Sequence, residues 1–237
     1  MTDKTAVIVG GTSGIGLATA TLLSGQGATV HVTGRSPERL ESARSRRLHV
    51  HQADGTSRAD MDELFAQVGT FDWLVLSMSG SDGAGPLESL DVDVLRGAFD
   101  AKFWGHLVSA QAALAHLAPQ GSITFIGAGS ARSGIPATAG LAALNGAVEA
   151  LVKPLAVELA PIRVNAVSPG LVDTPWWSGL PEQMREAYFA QAEKVLPVRR
   201  IASAEDVAES VVLAATNRNL TGTVIESDGG ARLVSLA

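Results

Sequence analysis

The sequence has no cysteine, a single tyrosine and few charged residues, and these shortages exclude several classes of function. Without cysteine the chain forms no disulfide, no thiolate nucleophile and no cysteine-held zinc or iron–sulfur site. Charged residues make up 18% of the 237 residues, and the net charge is −6 at pH 7. This balance argues against a nucleic-acid-binding surface, which needs a basic field over the phosphates.

Long hydrophobic runs are also missing. No window holds about 18 consecutive apolar residues, so the sequence predicts no membrane span. The amino terminus leads into a strand-like segment without a signal-peptide pattern, and we expect a soluble, cytoplasmic protein. We predict no metal site, and we interpret His49 and His51, which alternate on a strand, as facing into the fold.

What the sequence does contain is a regular alternation of short apolar runs and amphipathic stretches. Continuous β-branched runs are typical of strands covered on both faces, and helical spacing follows them. The alternation predicts one α/β domain over residues 1–237, a three-layer α/β/α sandwich with a parallel, doubly wound sheet of about seven strands. The predicted strands are Ala6–Val9, Ala28–Val32, Leu48–His51, Asp72–Leu76, Ser122–Ile126, Ile162–Val167 and Thr223–Glu226.

The second half contains two long predicted helices, Val94–Leu117 and Leu141–Leu159. Pro154 lies inside the second and should open one hydrogen bond near Ala150. Apolar residues surround most of that helix, so we expect another subunit to cover it and the chain to form a homodimer or homotetramer. The irregular stretch around 171–200 is rich in proline and tryptophan, which indicates a loop and helix that cover a substrate.

A glycine-rich turn joins the first predicted strand to the first helix. Gly10, Gly14 and Gly16 stand where a side chain would block a phosphate or the contact between helix and strand. Free N–H groups at the start of the helix favour phosphate. An ordinary α/β protein can carry the same tight turn, but the flanking strand and helix favour a bound dinucleotide here.

Together with later segments, this turn resembles the short-chain dehydrogenase/reductase family over essentially the whole chain. The later segments are Asp54, Arg163–Pro175, Pro197-x-Arg199, Thr221-Gly222 and Asp228–Gly230. The resemblance implies a Rossmann-like fold and an oxidoreductase with a nicotinamide cofactor. It also implies that Asp54 accepts a hydrogen bond from the adenine amine, and that Thr174 contacts the nicotinamide carboxamide or the pyrophosphate.

The choice between the two nicotinamide cofactors is predicted from the end of the second strand. An NAD enzyme usually has a carboxylate there, whereas this chain has Arg35 and Ser36, a cation and a hydroxyl that suit a phosphate monoester. Alternatively, Arg35 stacks on adenine or faces solvent. We therefore predict NADP(H) in preference to NAD(H). The predicted cofactor-binding residues are Gly10, Thr12, Ser13, Gly14, Ile15, Gly16, Arg35, Ser36, Asp54, Gly55, Ser79, Gly80, Asn145, Pro169, Gly170, Val172 and Thr174.

The family's catalytic Asn, Ser, Tyr and Lys are all replaced. By resemblance, the Tyr and Lys positions hold Leu141 and Asn145, and the Asn position holds Lys102. The Ser position holds Ala128, with Ser130 two residues further on. Lys and Asn have thus exchanged positions that face each other across the family's site. We predict that Lys102 reaches the ribose as a cation and that Asn145 hydrogen-bonds a ribose hydroxyl; alternatively, Lys102 extends to solvent.

Loss of the tyrosine removes a general acid, which typically contributes about 10²–10⁴-fold to the rate. An iminium ion, or another substrate already polarised, accepts hydride without a concerted proton, so we predict reduction of a carbonyl-like or imine/iminium-like small molecule. Lys102, Asn145 and Ser130 are the candidate catalytic residues, and Arg132 or Asp173 could also polarise a carbonyl. Two other functions stay open: a catalytically silent NADP(H)-binding protein, and non-redox chemistry in the same pocket.

Overall fold

Seven strands form one sheet in which neighbouring strands run parallel. A computed structural model describes residues 1–79 and 82–234. The strand order is β3-β2-β1-β4-β5-β6-β7, which confirms the predicted Rossmann-like α/β domain with a doubly wound, seven-stranded sheet. The strands are β1 (Thr5–Val9), β2 (Thr29–Gly34), β3 (His49–Gln52), β4 (Phe71–Leu76), β5 (Leu117–Ile126), β6 (Arg163–Pro169) and β7 (Val224–Ser227).

Helices cover both faces of this sheet. They are α1 (Gly14–Gly25), α2 (Pro37–Arg44), α3 (Arg58–Val68), α4 (Val92–Phe99), α5 (Gly105–Ala113), α6 (Ala139–Ala150), α7 (Val152–Glu158), α8 (Glu182–Val195) and α9 (Ala204–Thr216). In β1, Ala6 and Ile8 pack with α1 and α9, whereas Val7 and Val9 pack with α3, α5 and α6. Alternate residues of one strand therefore enter two separate cores, which makes the strand apolar throughout.

The first predicted long helix is wrong at its carboxyl end and is not a continuous α-helix. The α-helical part ends at Ala113, and Leu117 already belongs to β5, where it pairs with Phe71. Between α4 and α5 the chain forms one π-helical turn, Asp100–Trp104. Such turns occur frequently at functional sites because they change the direction of the side chains that follow.

The second long helix is interrupted where proline predicts it. α6 ends at Ala150, Leu151 is a turn residue, and α7 contains Pro154, whose ring nitrogen has no hydrogen to donate to Ala150. The combined stretch Ala139–Glu158 is long and apolar enough to cross a membrane by length and composition. Core helices pass the same test, and here Val148 and Val152 pack into the core against the sheet.

Three histidine rings stack on one face of the sheet edge. The rings of His49 and His51 lie 4.7 and 5.1 Å from that of His31 on the neighbouring strand, and His31 Nδ1 lies 2.9 Å from His51 Nε2. His49 is exposed, so the interpretation that it faces into the fold is wrong. Burial, with smaller contributions from His49 and His51, lowers the pKa of His31 to about 4.

This cluster predicts acid sensitivity. An unfolded chain protonates His31 near its ordinary pKa of 6.5, whereas the folded chain does so only near 4. Between these values the unfolded state binds more protons, so the free energy of unfolding should fall as the pH is lowered through this window. Urea unfolding across that range should show a steeper decline for the natural protein than for His31→Gln. Above pH 6.5 the free energies of unfolding of the two proteins should change with pH at the same rate. Equal slopes between pH 4 and 6.5 would contradict the prediction.

Candidate functional site

A cavity of about 900 Å³ lies at the carboxyl ends of the strands and extends to residues 171–200. Most predicted site residues line it, namely Gly10, Thr12, Ser13, Gly14, Ile15, Arg35, Ser36, Asp54, Gly55, Ser79, Lys102, Ser130, Asn145, Pro169, Gly170, Val172 and Thr174. Gly16 does not line it, and Gly80 lies outside the described residues. The predicted residues therefore lie together around this cavity.

Backbone segments approach so closely in the glycine-rich turn that side chains are excluded. A Cβ on Gly16 would lie 2.4 Å from the carbonyl oxygen of Gly10, and a Cβ on Gly10 would lie 2.9 Å from the backbone of Ser77. Gly10 also has a φ of +81°, which favours glycine. Gly16 thus allows α1 to contact the turn that follows β1, and its role toward a cofactor stays a prediction.

The amino terminus of α1 is available to an anion. Its N-cap residue, Ser13, makes no side-chain hydrogen bond to the first turn of the helix. Ser13, Gly14 and Ile15 all line the cavity. The first N–H groups and the positive end of the helix dipole together form a site that suits a phosphate.

A basic group stands at the end of β2. The Arg35 side chain is 74% exposed, and its Nη1 lies 3.9 Å from Asp54 Oδ2, a pair too long and too hydrated to hold it firmly. Ser36 Oγ accepts from the backbone N–H of Arg39, and Arg39 also lines the cavity. Asp54 Oδ1 accepts from the N–H and hydroxyl of Thr56. Arg39 was missed because its approach to the cavity depends on where α2 packs.

Lys102 and Asn145 are in direct contact. Lys102 belongs to the π-helical turn and is 5% exposed, so the alternative that it extends to solvent is wrong. Its Nζ donates to Asn145 Oδ1 at 2.7 Å and to the Gly127 carbonyl oxygen at 3.2 Å. The exchanged residues therefore do face each other, as the resemblance implied; their roles toward a ribose stay a prediction.

The ammonium of Lys102 fixes the orientation of the Asn145 amide. Lysine only donates hydrogen bonds, so Oδ1 must face it and Nδ2 must face the other way. Nδ2 donates to Leu141 O at 2.9 Å and to Ser130 Oγ at 3.1 Å. Because Ser130 Oγ accepts this bond, its own proton points elsewhere, and it reaches Leu141 O only at 3.4 Å. Ser130 can thus donate to a ligand at little cost.

Burial shifts the pKa values of two basic side chains near the deep end of the cavity, Lys102 and His106. Burial lowers the pKa of Lys102 to about 8, although the negative charge of Glu149 partly opposes this shift. Burial, with a smaller contribution from Lys102, lowers the pKa of the fully buried His106 to about 3. Lys102 is therefore mostly an ammonium near neutral pH, while His106 is neutral.

Arg132 has a different role from the predicted one. Neither Arg132 nor Asp173 lines the cavity. Arg132 instead pairs with Glu149, its Nη2 lying 2.9 Å from Oε2, and with Glu226 near the carboxyl terminus. Glu149 and Glu226 were missed because no local pattern indicates pairs 17 and 94 residues apart. Arg132 is not positioned to polarise a ligand.

The far wall of the cavity is aromatic. Trp176, Trp177 and Tyr188 line it, and the Trp177 ring lies 4.7 Å from that of Trp176 and 5.6 Å from that of Tyr188. Trp177 Nε1 donates to the Val172 carbonyl oxygen at 2.9 Å, which anchors this wall to the segment after β6. The Leu141 side of the cavity is also apolar, so this end suits an apolar or ring-containing ligand.

A comparison with known sequences links the chain to oxidoreductases. A family model described as enoyl-(acyl carrier protein) reductase matches residues 9–232. The cis-4-hydroxycyclohexanecarboxylate dehydrogenase of Sinomonas cyclohexanicum is 31% identical over 96% of this chain and 96% of its own length.

Solved structures of dehydrogenases and reductases are also similar to this chain. A small-chain dehydrogenase in complex with NADPH is 35% identical, with a TM-score of 0.86 over 98% of this chain and 99% of the other. A short-chain type dehydrogenase/reductase from Mycobacterium ulcerans is 25% identical, with a TM-score of 0.89 over 99% of this chain and 92% of the other.

The contact between Lys102 and Asn145 can be tested by exchanging the two residues. Asn145→Lys alone brings two buried ammonium groups together and should lower the free energy of unfolding by about 3 kcal/mol. Adding Lys102→Asn restores one cation beside one amide, and the double variant should recover at least half of that loss. Urea unfolding measures both, and Lys153→Asn, at an exposed position of α7, is the control. If the double variant instead lost as much unfolding free energy as the two single variants together, the contact would contribute nothing to stability.

Proposed function

This chain belongs to the short-chain dehydrogenase/reductase family of oxidoreductases, and we propose that it uses NADP(H) to reduce a carbonyl-like or imine-like small molecule. One observation carries the proposal. A single cavity joins a glycine cradle suited to phosphates, the Lys102–Asn145 pair and an apolar far wall. A nucleotide and a second small molecule would thus meet beside the ammonium.

The residues of the cradle fit a dinucleotide. Gly10 and Gly16 admit no side chain, and the uncapped start of α1 at Gly14 supplies N–H groups to a pyrophosphate. Asp54 has one carboxylate oxygen committed to its own turn, which leaves the other for the adenine end. The solved neighbour that contains NADPH supports the same class of cofactor.

A 2′-phosphate suits the Arg35 end of the cavity. Arg35 is held only by the long contact to Asp54, so its guanidinium can turn to a phosphate without losing a strong partner. Arg39 adds a second cation to the same wall. A carboxylate at the end of β2 would repel that phosphate, and this chain has none there.

Bound NADPH supplies a hydride. Lys102 contributes positive charge at the deep end, and Asn145 transmits its orientation to Ser130. The Ser130 hydroxyl can then donate to the oxygen or nitrogen of a substrate, which stabilises the negative charge that develops there. Leu141 provides no proton, so the proposed site relies on charge and hydrogen bonding, and the proton that completes the reduction would come from water.

The proposal has three further parts. The segment 171–200 acts as a lid over the substrate, because Trp176, Trp177 and Tyr188 bring aromatic surface to the cavity. Homodimers or homotetramers form through α4–α7, where Trp104 and Val157 are exposed. The protein works in the cytoplasm.

A catalytically silent NADP(H)-binding protein is the second candidate. The observation that favours it is Leu141, an apolar residue in the cavity wall beside Asn145, where the family has its proton donor. Nucleotide binding does not distinguish the two candidates, because both require it. Turnover of a substrate does.

The cofactor preference predicts an asymmetric effect of Arg35→Ala. Loss of a charge-assisted bond to the 2′-phosphate should weaken NADPH binding by about 10- to 100-fold and leave NADH binding nearly unchanged. Calorimetric titration at one fixed ionic strength measures both. Arg44→Ala, which removes an exposed arginine of α2 outside the cavity wall, is the matched control. Equal losses for both nucleotides would indicate that Arg35 stacks on adenine instead.

The proposed reaction predicts NADPH oxidation with at least one member of a panel of ketones, aldehydes and imines. Lys102→Ala and Asn145→Ala should each lower kcat/KM by about 10²-fold, since each removes part of the preorganised charge. Lys153→Ala should leave it unchanged, because that side chain is exposed on α7. Retained nucleotide binding without turnover on any class would favour the silent protein.

A further inference from the structure

We propose that Glu149 is a positioning residue that keeps Lys102 in its ammonium form and directs it toward Asn145. This inference deepens the proposed function, because the ammonium is the charge on which the proposed site relies. It is carried by the geometry around Gly127, the residue that lies between the two side chains.

The need for a counter-charge follows from burial. Lys102 is 5% exposed, and removing an ammonium from water favours its neutral amine. Its observed acceptors are the Asn145 amide oxygen and the Gly127 carbonyl oxygen, both uncharged. Two neutral acceptors replace part of the lost hydration, but an anion nearby is needed to keep the proton at neutral pH.

Glu149 supplies that anion from one turn beyond Asn145 on α6. Its side chain is 9% exposed, and its carboxylate lies against Gly127, where a Cβ would be 3.5 Å from Oε1. The carbonyl of the same Gly127 accepts from Lys102. One backbone residue thus separates the carboxylate from the ammonium, so little water can screen their attraction.

The carboxylate also retains negative charge that its own partner does not fully balance. Oε2 is bound by Arg132, but Arg132 is shared with Glu226, and Oε1 is buried without a hydrogen-bond partner. Buried carboxylate oxygens are normally satisfied. The field of this unsatisfied oxygen therefore acts on the nearest buried cation across Gly127, which is Lys102.

Other charged groups near Lys102 do not replace Glu149. His106, one turn along the same helical segment, is neutral above acidic pH because burial lowers its pKa to about 3. Arg132, behind Glu149, is itself positive and opposes the ammonium. Glu149 is the acid that lies against Gly127, the residue whose carbonyl oxygen accepts from Lys102.

Lysine titration by NMR tests the proposal directly. The chain has four lysines, so ¹³C-lysine labelling gives four Cε signals, and Lys102→Arg identifies the one of interest. In the natural protein its midpoint should lie at about 8. Glu149→Gln keeps the shape and removes the charge, and should lower that midpoint by about one pH unit.

Glu158→Gln is the matched control, because it removes an exposed carboxylate at the end of the neighbouring helix α7. It should leave the Lys102 midpoint in place. An unchanged midpoint in Glu149→Gln, or an equal shift in Glu158→Gln, would overturn the proposal. A natural-protein midpoint below pH 7 would also overturn it, even if the Glu149 variant did not fold. The nucleotide-free protein is titrated, so the result is independent of cofactor choice and turnover.

Discussion

The deep end of the cavity depends on one hydrogen bond, from the ammonium of Lys102 to the amide oxygen of Asn145. The π-helical turn aims Lys102 inward, and the ammonium then determines which way the amide faces. The amide in turn holds Ser130, whose loop follows β5. Without the ammonium at position 102, only the bonds from Nδ2 to Leu141 O and Ser130 Oγ would hold the amide in this orientation.

Much of the fold could be predicted from the sequence because strands covered on both faces are apolar throughout. Such runs located inner strands such as β1 and β4, and Pro154 located the break between α6 and α7. The error at Leu117 has a physical reason. A short apolar run fits a helix and a strand equally well, and pairing with Phe71 in β4, a tertiary contact, decides for the strand.

The glycine-rich turn of the cavity was predictable for a similar reason, since glycines are required wherever two backbones touch. Gly16 is an example, because a Cβ there would collide with the carbonyl oxygen of Gly10. The charges behind Lys102 could not be predicted at all. Arg132, Glu149 and Glu226 come from three distant parts of the chain, and only the packing of α6 and β7 brings them together.

In the proposed reduction, the ammonium would also restrict the substrate. A cationic iminium would bring a second positive charge to a cavity that already holds Lys102, and two like charges at close range are strongly disfavoured where water is excluded. A ketone, an aldehyde or a neutral imine carries no such charge and develops negative charge as hydride arrives, which the ammonium stabilises. The apolar wall of Trp176, Trp177 and Leu141 accepts the rest of such a molecule. The combination therefore favours a neutral, largely apolar acceptor.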